Sequence, residues 1–261
     1  MRIEMAGAPG SPERPDEDWA AGALPASGHG GFVVALDGVT PPAHDVGCSH
    51  TVPWFTSRLG GSLAELSVSH PDLTLPEVLA ESIRRTADVH RTSCDLSHPR
   101  TPQATVALAR WDARTIEYLV LCDAVLLLEA PDGAVRAVLD DRLDRLPRSA
   151  LASVATVDAT LRNREGGFFT AAADPSVASR AVTGRAPLTE VRSVTAMSDG
   201  ASRWTERFHQ GDWAALLGVV RESGPRGLIE RVRELERADA AGPAPLGGKT
   251  HDDAAVVFAE F

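Results

Sequence analysis

The sequence predicts an α+β fold in which antiparallel sheets are stacked and carry helices on their outer faces. Three observations lead there. Apolar β-rich runs recur near the beginning, in the middle and at the end of the chain, at 31–36, 104–138 and 254–258. The middle runs are separated by turn residues such as Asp132-Gly133, and hairpins imply antiparallel pairing. Segments of helical apolar spacing lie between the β-rich regions, and two sheets with helices outside would cover the apolar faces.

The elements follow in order. Gly31-Phe32-Val33-Val34-Ala35-Leu36 ends at Asp37-Gly38, the pattern of a strand buried on both faces and closed by a turn. Residues 54–68 place Phe55, Leu59, Leu63 and Leu66 at helical spacing. A second helix is expected over 76–90, with Thr74 as N-cap and Glu77 completing a capping box. Runs at 104–109, 115–122, 125–129 and 134–138 read as an antiparallel meander. Residues 143–162 are expected to be helical and 168–172 to form a short strand. A strand over 188–197 runs into Ser198-Asp199-Gly200. Helices at 201–207, 212–222 and 225–239 precede a Pro/Gly-rich loop at 242–248 and a final buried strand at 254–258. No repeat and no long linker divides the chain, so a single domain over 1–261 is expected.

Composition limits the function classes. With 26 Lys plus Arg against 36 Asp plus Glu, the formal charge is −10, a field that disfavours nucleic-acid binding. It leaves phosphate chemistry open, because bound divalent cations invert the local charge. Cys48, Cys94 and Cys122 form no C-x-x-C pair, so free thiols are expected rather than disulfides or a structural zinc site. Residues 1–11 lack the pattern of a secretion signal. The most apolar stretch, 118–130, is interrupted by Asp123 and too short for a bilayer, so no membrane span and a cytoplasmic location are expected.

The chemistry lies in acids at strand ends. Asp37-Gly38 closes an apolar strand, and Ser198-Asp199-Gly200 repeats the arrangement before a helix. Asp252-Asp253 precedes the terminal strand, and Asp123 sits between two apolar runs. Singly, each has a plain reading as a turn residue, an N-cap or a loop solubiliser. Together, with few cysteines and no His pair at metal spacing, they fit a hard cation with oxygen ligands, Mg2+ or Mn2+ rather than zinc.

Glu17-Asp18-Trp19-Ala20, Val34-Ala35-Leu36-Asp37-Gly38, Ser198-Asp199-Gly200 and His251-Asp252-Asp253-Ala254-Ala255-Val256-Val257 resemble the ordered signatures of metal-dependent 2C-type protein phosphatases. Residues 101–129 are similar to that family's central hairpin, with Asp123 where the family carries the aspartate of its Gly-Asp-Ser motif. The resemblance spans 16–261. It implies a four-layer α-β-β-α sandwich with two central antiparallel sheets. It also implies a Mg2+- or Mn2+-dependent Ser/Thr phosphatase of bacterial type acting on phosphorylated protein. Asp37 would bridge two ions, the Gly38 carbonyl would bind one of them, and Asp199 and Asp252 would hold the other. Asp123 with Asp199 would bind a weaker third ion. Asp18 and Glu17 would bond metal waters, and Arg14 would grip the phosphate. Water activated between the ions would attack phosphorus in line.

The chain also departs from that pattern. Val39 follows Asp37-Gly38 where animal members carry a His, leaving His44 or His50 as candidate proton donors. Cys122 and Ala124 replace the Gly and Ser that flank the family's aspartate, and Asp253 stands where Asn is common. Two alternatives follow: a weak or inactive relative that binds a phosphorylated partner in a regulatory role, and a metal-free interaction domain.

Overall fold

The structure is a computed structural model describing residues 1–25, 29–42, 46–242, 246 and 249–261. His44 and most of the 242–248 loop lie outside the described residues. The strands are β1 (Arg2–Ala8), β2 (Trp19–Ala23), β3 (Gly31–Gly38), β4 (Ala104–Trp111), β5 (Thr115–Leu121), β6 (Val125–Glu129), β7 (Val135–Val138), β8 (Val182–Pro187), β9 (Ser193–Met197) and β10 (Ala254–Glu260). The α-helices are α1 (Val52–Ser69), α2 (Leu75–His90), α3 (Arg148–Leu151), α4 (Val154–Thr160), α5 (Asp199–Glu206) and α6 (Trp213–Ala240).

Two five-stranded antiparallel sheets form the centre, ordered β1-β10-β9-β6-β7 and β2-β3-β4-β5-β8. Strand alternation distributes the apolar side chains into three cores. From β3, Phe32, Val34 and Leu36 face α1 and α2 and meet Leu59, Leu63, Leu79 and Ile83. Val33 and Ala35 face the other way, toward Leu126, Val194, Ala196 and Val257 of the opposite sheet. Val125, Leu127, Met197, Val256 and Phe258 form the far face, covered by Leu216, Val220, Leu228 and Val232 of α6. The order of layers is therefore helix, sheet, sheet, helix, which the apolar runs alone predict for strands buried on both faces.

The two helices after β3 begin as expected. Thr74 accepts from the Glu77 backbone N–H while the Glu77 carboxylate accepts from the Thr74 backbone N–H, completing the capping box.

Four sequence expectations need correction. The middle strands are not one meander: β4 and β5 lie in one sheet, β6 and β7 in the other. The chain changes sheets at Cys122-Asp123-Ala124, where Cys122 adopts φ 64°. Residues 143–162 are not one helix, because Pro147 interrupts them and only α3 and α4 form. Residues 168–172 make only isolated bridges, Phe168 with Arg162 and Ala171 with Ala104. The strand expected from 188 starts at Ser193, after a 3-10 turn at Leu188–Glu190. The helices expected at 212–222 and 225–239 are both present, meeting within α6 at a kink at Gly224, φ 73°, just before Pro225.

Candidate metal centre

The Asp-Gly pairs are placed by close packing. On β3, Asp37 pairs with Thr105 and Gly38 with Ala104. A Cβ on Gly38 would sit 2.3 Å from the Glu17 carbonyl oxygen and 2.4 Å from a Val52 methyl, so only glycine lets the chain pass. The same holds at Gly200, where a Cβ would lie 1.8 Å from the Asp253 carbonyl oxygen. Both glycines therefore bring another acidic segment against the aspartate that precedes them.

Hydrogen bonds complete the gathering. The Ser198 hydroxyl accepts from the Ala255 N–H at 2.9 Å, and the Ser198 N–H donates to the Ala255 carbonyl at 3.0 Å. This ties the end of β9, and so Asp199, to the start of β10. The Asp253 carboxylate accepts from the backbone N–H groups of Gly10 at 2.6 Å and Glu17 at 2.8 Å. It thereby fastens the segment before β2, and Asp16, Asp18 and Asp253 bring carboxylate oxygens within 4.8 Å of one another.

Asp37, Gly38, Asp123, Asp199 and Asp252 line one cleft of about 350 Å³ at the end of the two sheets. A second lobe continues from Asp123 and Asp199 to Asp140, Asp144 and Glu206. Asp18 borders the cluster closely enough for its charge to act on Asp37.

The electrostatics record the crowding. Burial, then the charges of Asp199, Asp18, Asp123 and Asp252, hold the Asp37 carboxyl well above the usual carboxylate range. Burial, followed by Asp123 and Asp252, raises Asp199 to about 7. Burial also raises Asp18 and Asp123, with Asp199 adding to the first and Glu206 to the second. Both Asp18 oxygens and Asp123 Oδ1 are buried without a well-formed hydrogen bond, although the Ser198 hydroxyl beside Asp18 favours its charged form. Unpaired buried carboxylate oxygens are costly. An all-oxygen donor set of this kind suits a hard divalent cation, so the residues present fit Mg2+ or Mn2+.

Positive groups other than Arg14 shape the site. Asp252 accepts from Arg203 at 2.7 Å on one oxygen and from Lys249 at 2.7 Å on the other. Lys249 also donates to Thr40 Oγ1 at 2.9 Å, and Thr40 donates to Glu17 at 2.6 Å. Arg100 and Arg162 line the cleft and share the single carboxylate of Asp158, at 2.7 and 3.2 Å. Burial, then the charge of Arg100, lowers the Arg162 pKa.

Other expected site residues lie apart from the cleft. Arg14 is exposed on the loop before β2 and is not part of the cleft wall. Glu17 lines an adjoining pocket with Val39, Thr40 and Arg100. His50 belongs to that pocket too, and its ring nitrogen faces Cys48 and Cys94 rather than the acids. Arginines at such positions carry no local sequence signal. Their partner Asp158 is remote in sequence from Arg100 and lies on α4, in a stretch whose sequence pattern predicts one long helix.

No protein-family model matches the chain, and no curated protein matches it. Solved structures share its fold. Serine/threonine phosphatase Stp1 from Staphylococcus aureus is similar at TM-score 0.64 and 9% identity, over 99% of this chain and 94% of that one. The serine/threonine phosphatase PstP/Ppp from Mycobacterium tuberculosis is similar at TM-score 0.64 and 13% identity, over 100% and 98%. PppA, a regulatory component of a secretion system in Pseudomonas aeruginosa, is similar at TM-score 0.56 and 18% identity, over 100% and 97%.

Proposed function

We propose that this chain is a Mg2+- or Mn2+-dependent phosphoprotein phosphatase that hydrolyses phosphoserine or phosphothreonine. The observation that carries the reading is the cluster of Asp37, Asp123, Asp199 and Asp252 around one cleft, where burial and then the neighbouring acids raise the carboxyls of Asp37 and Asp199. The fold shared with Ser/Thr phosphatases supports it.

In this reading Asp37, Asp199 and Asp252 hold two divalent ions, with the Gly38 carbonyl as a further ligand. Asp123, Asp144 and Glu206 surround a place for a third. Asp18, and Glu17 through its bond to Thr40 on the cleft wall, would orient the waters of those ions. Bound ions would supply a nucleophilic water near neutral pH and neutralise charge on the phosphoryl oxygens. The chain's own part is to collect the acids and to receive the phosphate. Arg100 and Arg162 are better placed for the phosphate than Arg14, because two guanidiniums share one carboxylate and leave positive charge at the cleft. Free Cys48, Cys94 and Cys122 suit a reducing cytoplasm, where the substrate would be a phosphorylated protein. Among the described residues, no helix is long and apolar enough to cross a membrane.

A second reading, a weak or inactive phosphate-binding relative, is favoured by the two cations already seated on Asp252. The deciding experiment is hydrolysis of a phosphothreonine peptide with and without Mn2+, in the parent and in Asp37→Asn and Asp199→Asn. Mn2+-dependent turnover reduced at least about 100-fold by either substitution supports the enzyme. Thermal stabilisation by Mn2+ without turnover supports the second reading. Neither response would falsify both.

A further inference from the structure

Away from the acidic cleft, Cys48, His50, His90 and Cys94 each present one ligand atom, and these atoms lie within 4.8 Å of one another. We propose that these four side chains form a tetrahedral Cys2His2 zinc site that fastens the loop after Gly38 to the end of α2. The inference is independent of the phosphatase reading, since it rests on different residues and a different metal.

The distances suit a shared ion. Cys48 Sγ lies 3.4 Å from His90 Nδ1 and 3.6 Å from His50 Nδ1, and Cys94 Sγ lies 3.3 Å from His50 Nδ1. Tetrahedral bonds of about 2.3 Å to sulfur and about 2.0 Å to nitrogen separate such ligands by about 3.5 Å. The two sulfurs are 2.8 Å apart. Seating the ion requires them to part by about 1 Å, a small side-chain torsion change. A disulfide would instead need them to close to about 2.05 Å. His90 is 2% exposed, with its Nδ1 turned to the Cys48 sulfur and no hydrogen-bond partner at Nε2. The buried His90 ring thus presents Nδ1, a nitrogen able to ligate zinc, directly to a sulfur ligand atom.

The surrounding structure holds the four in place. His50 immediately precedes Thr51, the N-cap of α1, and His90 is the last residue of α2. The Cys94 N–H donates to the His90 carbonyl at 3.0 Å, and the Asp95 N–H donates to the Gly47 carbonyl at 2.7 Å. The Trp54 ring covers the site, 4.0 Å from the His50 ring and 5.1 Å from the His90 ring. Thiolate and imidazole ligands select zinc, whereas the carboxylates of the cleft select Mg2+ or Mn2+. The three cysteines are free of disulfides, as the sequence predicts; two of those free thiols would share the proposed ion. The half-sites Cys48-x-His50 and His90-x3-Cys94 lie on either side of the α1–α2 hairpin, so linear spacing hid them. Thr40, on the same loop, bonds both Glu17 and Lys249, so the ion would steady one wall of the acidic cleft.

The test is metal content of the full chain purified without chelator under reducing conditions. About one zinc per chain is expected, lost in Cys48→Ser/Cys94→Ser and kept in Asp37→Asn. Should the double variant fail to fold, the parent chain exchanged into Co2+ decides alone: a thiolate-to-cobalt charge-transfer band with intense tetrahedral d–d bands supports the site. Overturning results are parent protein that holds no zinc when offered excess, a cobalt spectrum of oxygen ligands only, or mass spectrometry showing a Cys48–Cys94 disulfide in place of metal.

Discussion

At the scale of single residues, the acidic cleft already holds fixed cations that a divalent ion would have to displace. Lys249 is held by Asp252, and although burial opposes its charge, its ion pair and the charges of Asp37 and Asp199 raise its pKa. It therefore occupies a carboxylate that a divalent ion would need under the proposed function. Replacing Lys249 with alanine removes this competitor and one positive charge from the site. The apparent Mn2+ affinity of Lys249→Ala, read by calorimetry, should rise about tenfold, equivalent to about 1.4 kcal/mol. An unchanged or weaker affinity would mean that Asp252 is not a ligand. Arg162 has the opposite role. If it receives the phosphate, Arg162→Gln should raise KM for a phosphopeptide about tenfold while leaving Mn2+ affinity intact, as expected for loss of one charge-assisted contact. A fall in Mn2+ affinity with unaltered KM would assign it to the scaffold instead.

At the scale of elements, the helical layer on α1 and α2 shows how packing supports both candidate sites. Leu79 is 0% exposed and sits among the residues joining α2 to the β3–β4 face. Leu79→Ala should lower unfolding free energy by about 3 kcal/mol in urea titration, the usual cost of a core cavity. A loss below about 1 kcal/mol would show that α2 packs loosely there. The same elements show what the sequence makes legible. Strands β3, β4, β5, β6, β9 and β10 have unbroken or nearly unbroken burial, and apolar runs reveal them. Of the sheet edges, the Asp132-Gly133 turn marks β7, but no such signal marks β1, β2 or β8. Arg2–Ala8 and Val182–Pro187 alternate exposed and half-buried residues, and Trp19–Ala23 is half-buried throughout and mostly alanine. Edge strands bury less and carry charge, glycine or proline, so no apolar run announces them. The acids were legible because strand ends and glycines mark them. Arg100, Arg162 and the Cys/His set were not, since only tertiary packing makes them neighbours.

At the scale of the whole molecule, the fold concentrates negative charge on a chain that already carries −10. Asp199, Asp37, Asp18 and Asp123 are all raised, Asp199 from 3.8 to about 7. A carboxyl whose folded pKa exceeds its unfolded value binds more protons in the native state. Its contribution to stability is complete below the unfolded pKa and is lost as pH climbs through the folded one. For Asp199 that window runs from 3.8 to about 7. Metal-free protein should therefore lose Tm as pH rises from about 4 to about 7. Mn2+ displaces the same protons, so its stabilising increment should grow across that window, as linkage requires for a ligand that binds the native state alone. In Asp199→Asn the metal-free slope should flatten and the Mn2+ increment should shrink. Thermal scans of both proteins across this range, with and without Mn2+, check all three outcomes. A metal-free Tm that rises with pH, with an Mn2+ increment independent of it, would mean that the acids are solvated singly and that the two sheets do not assemble a common cation site.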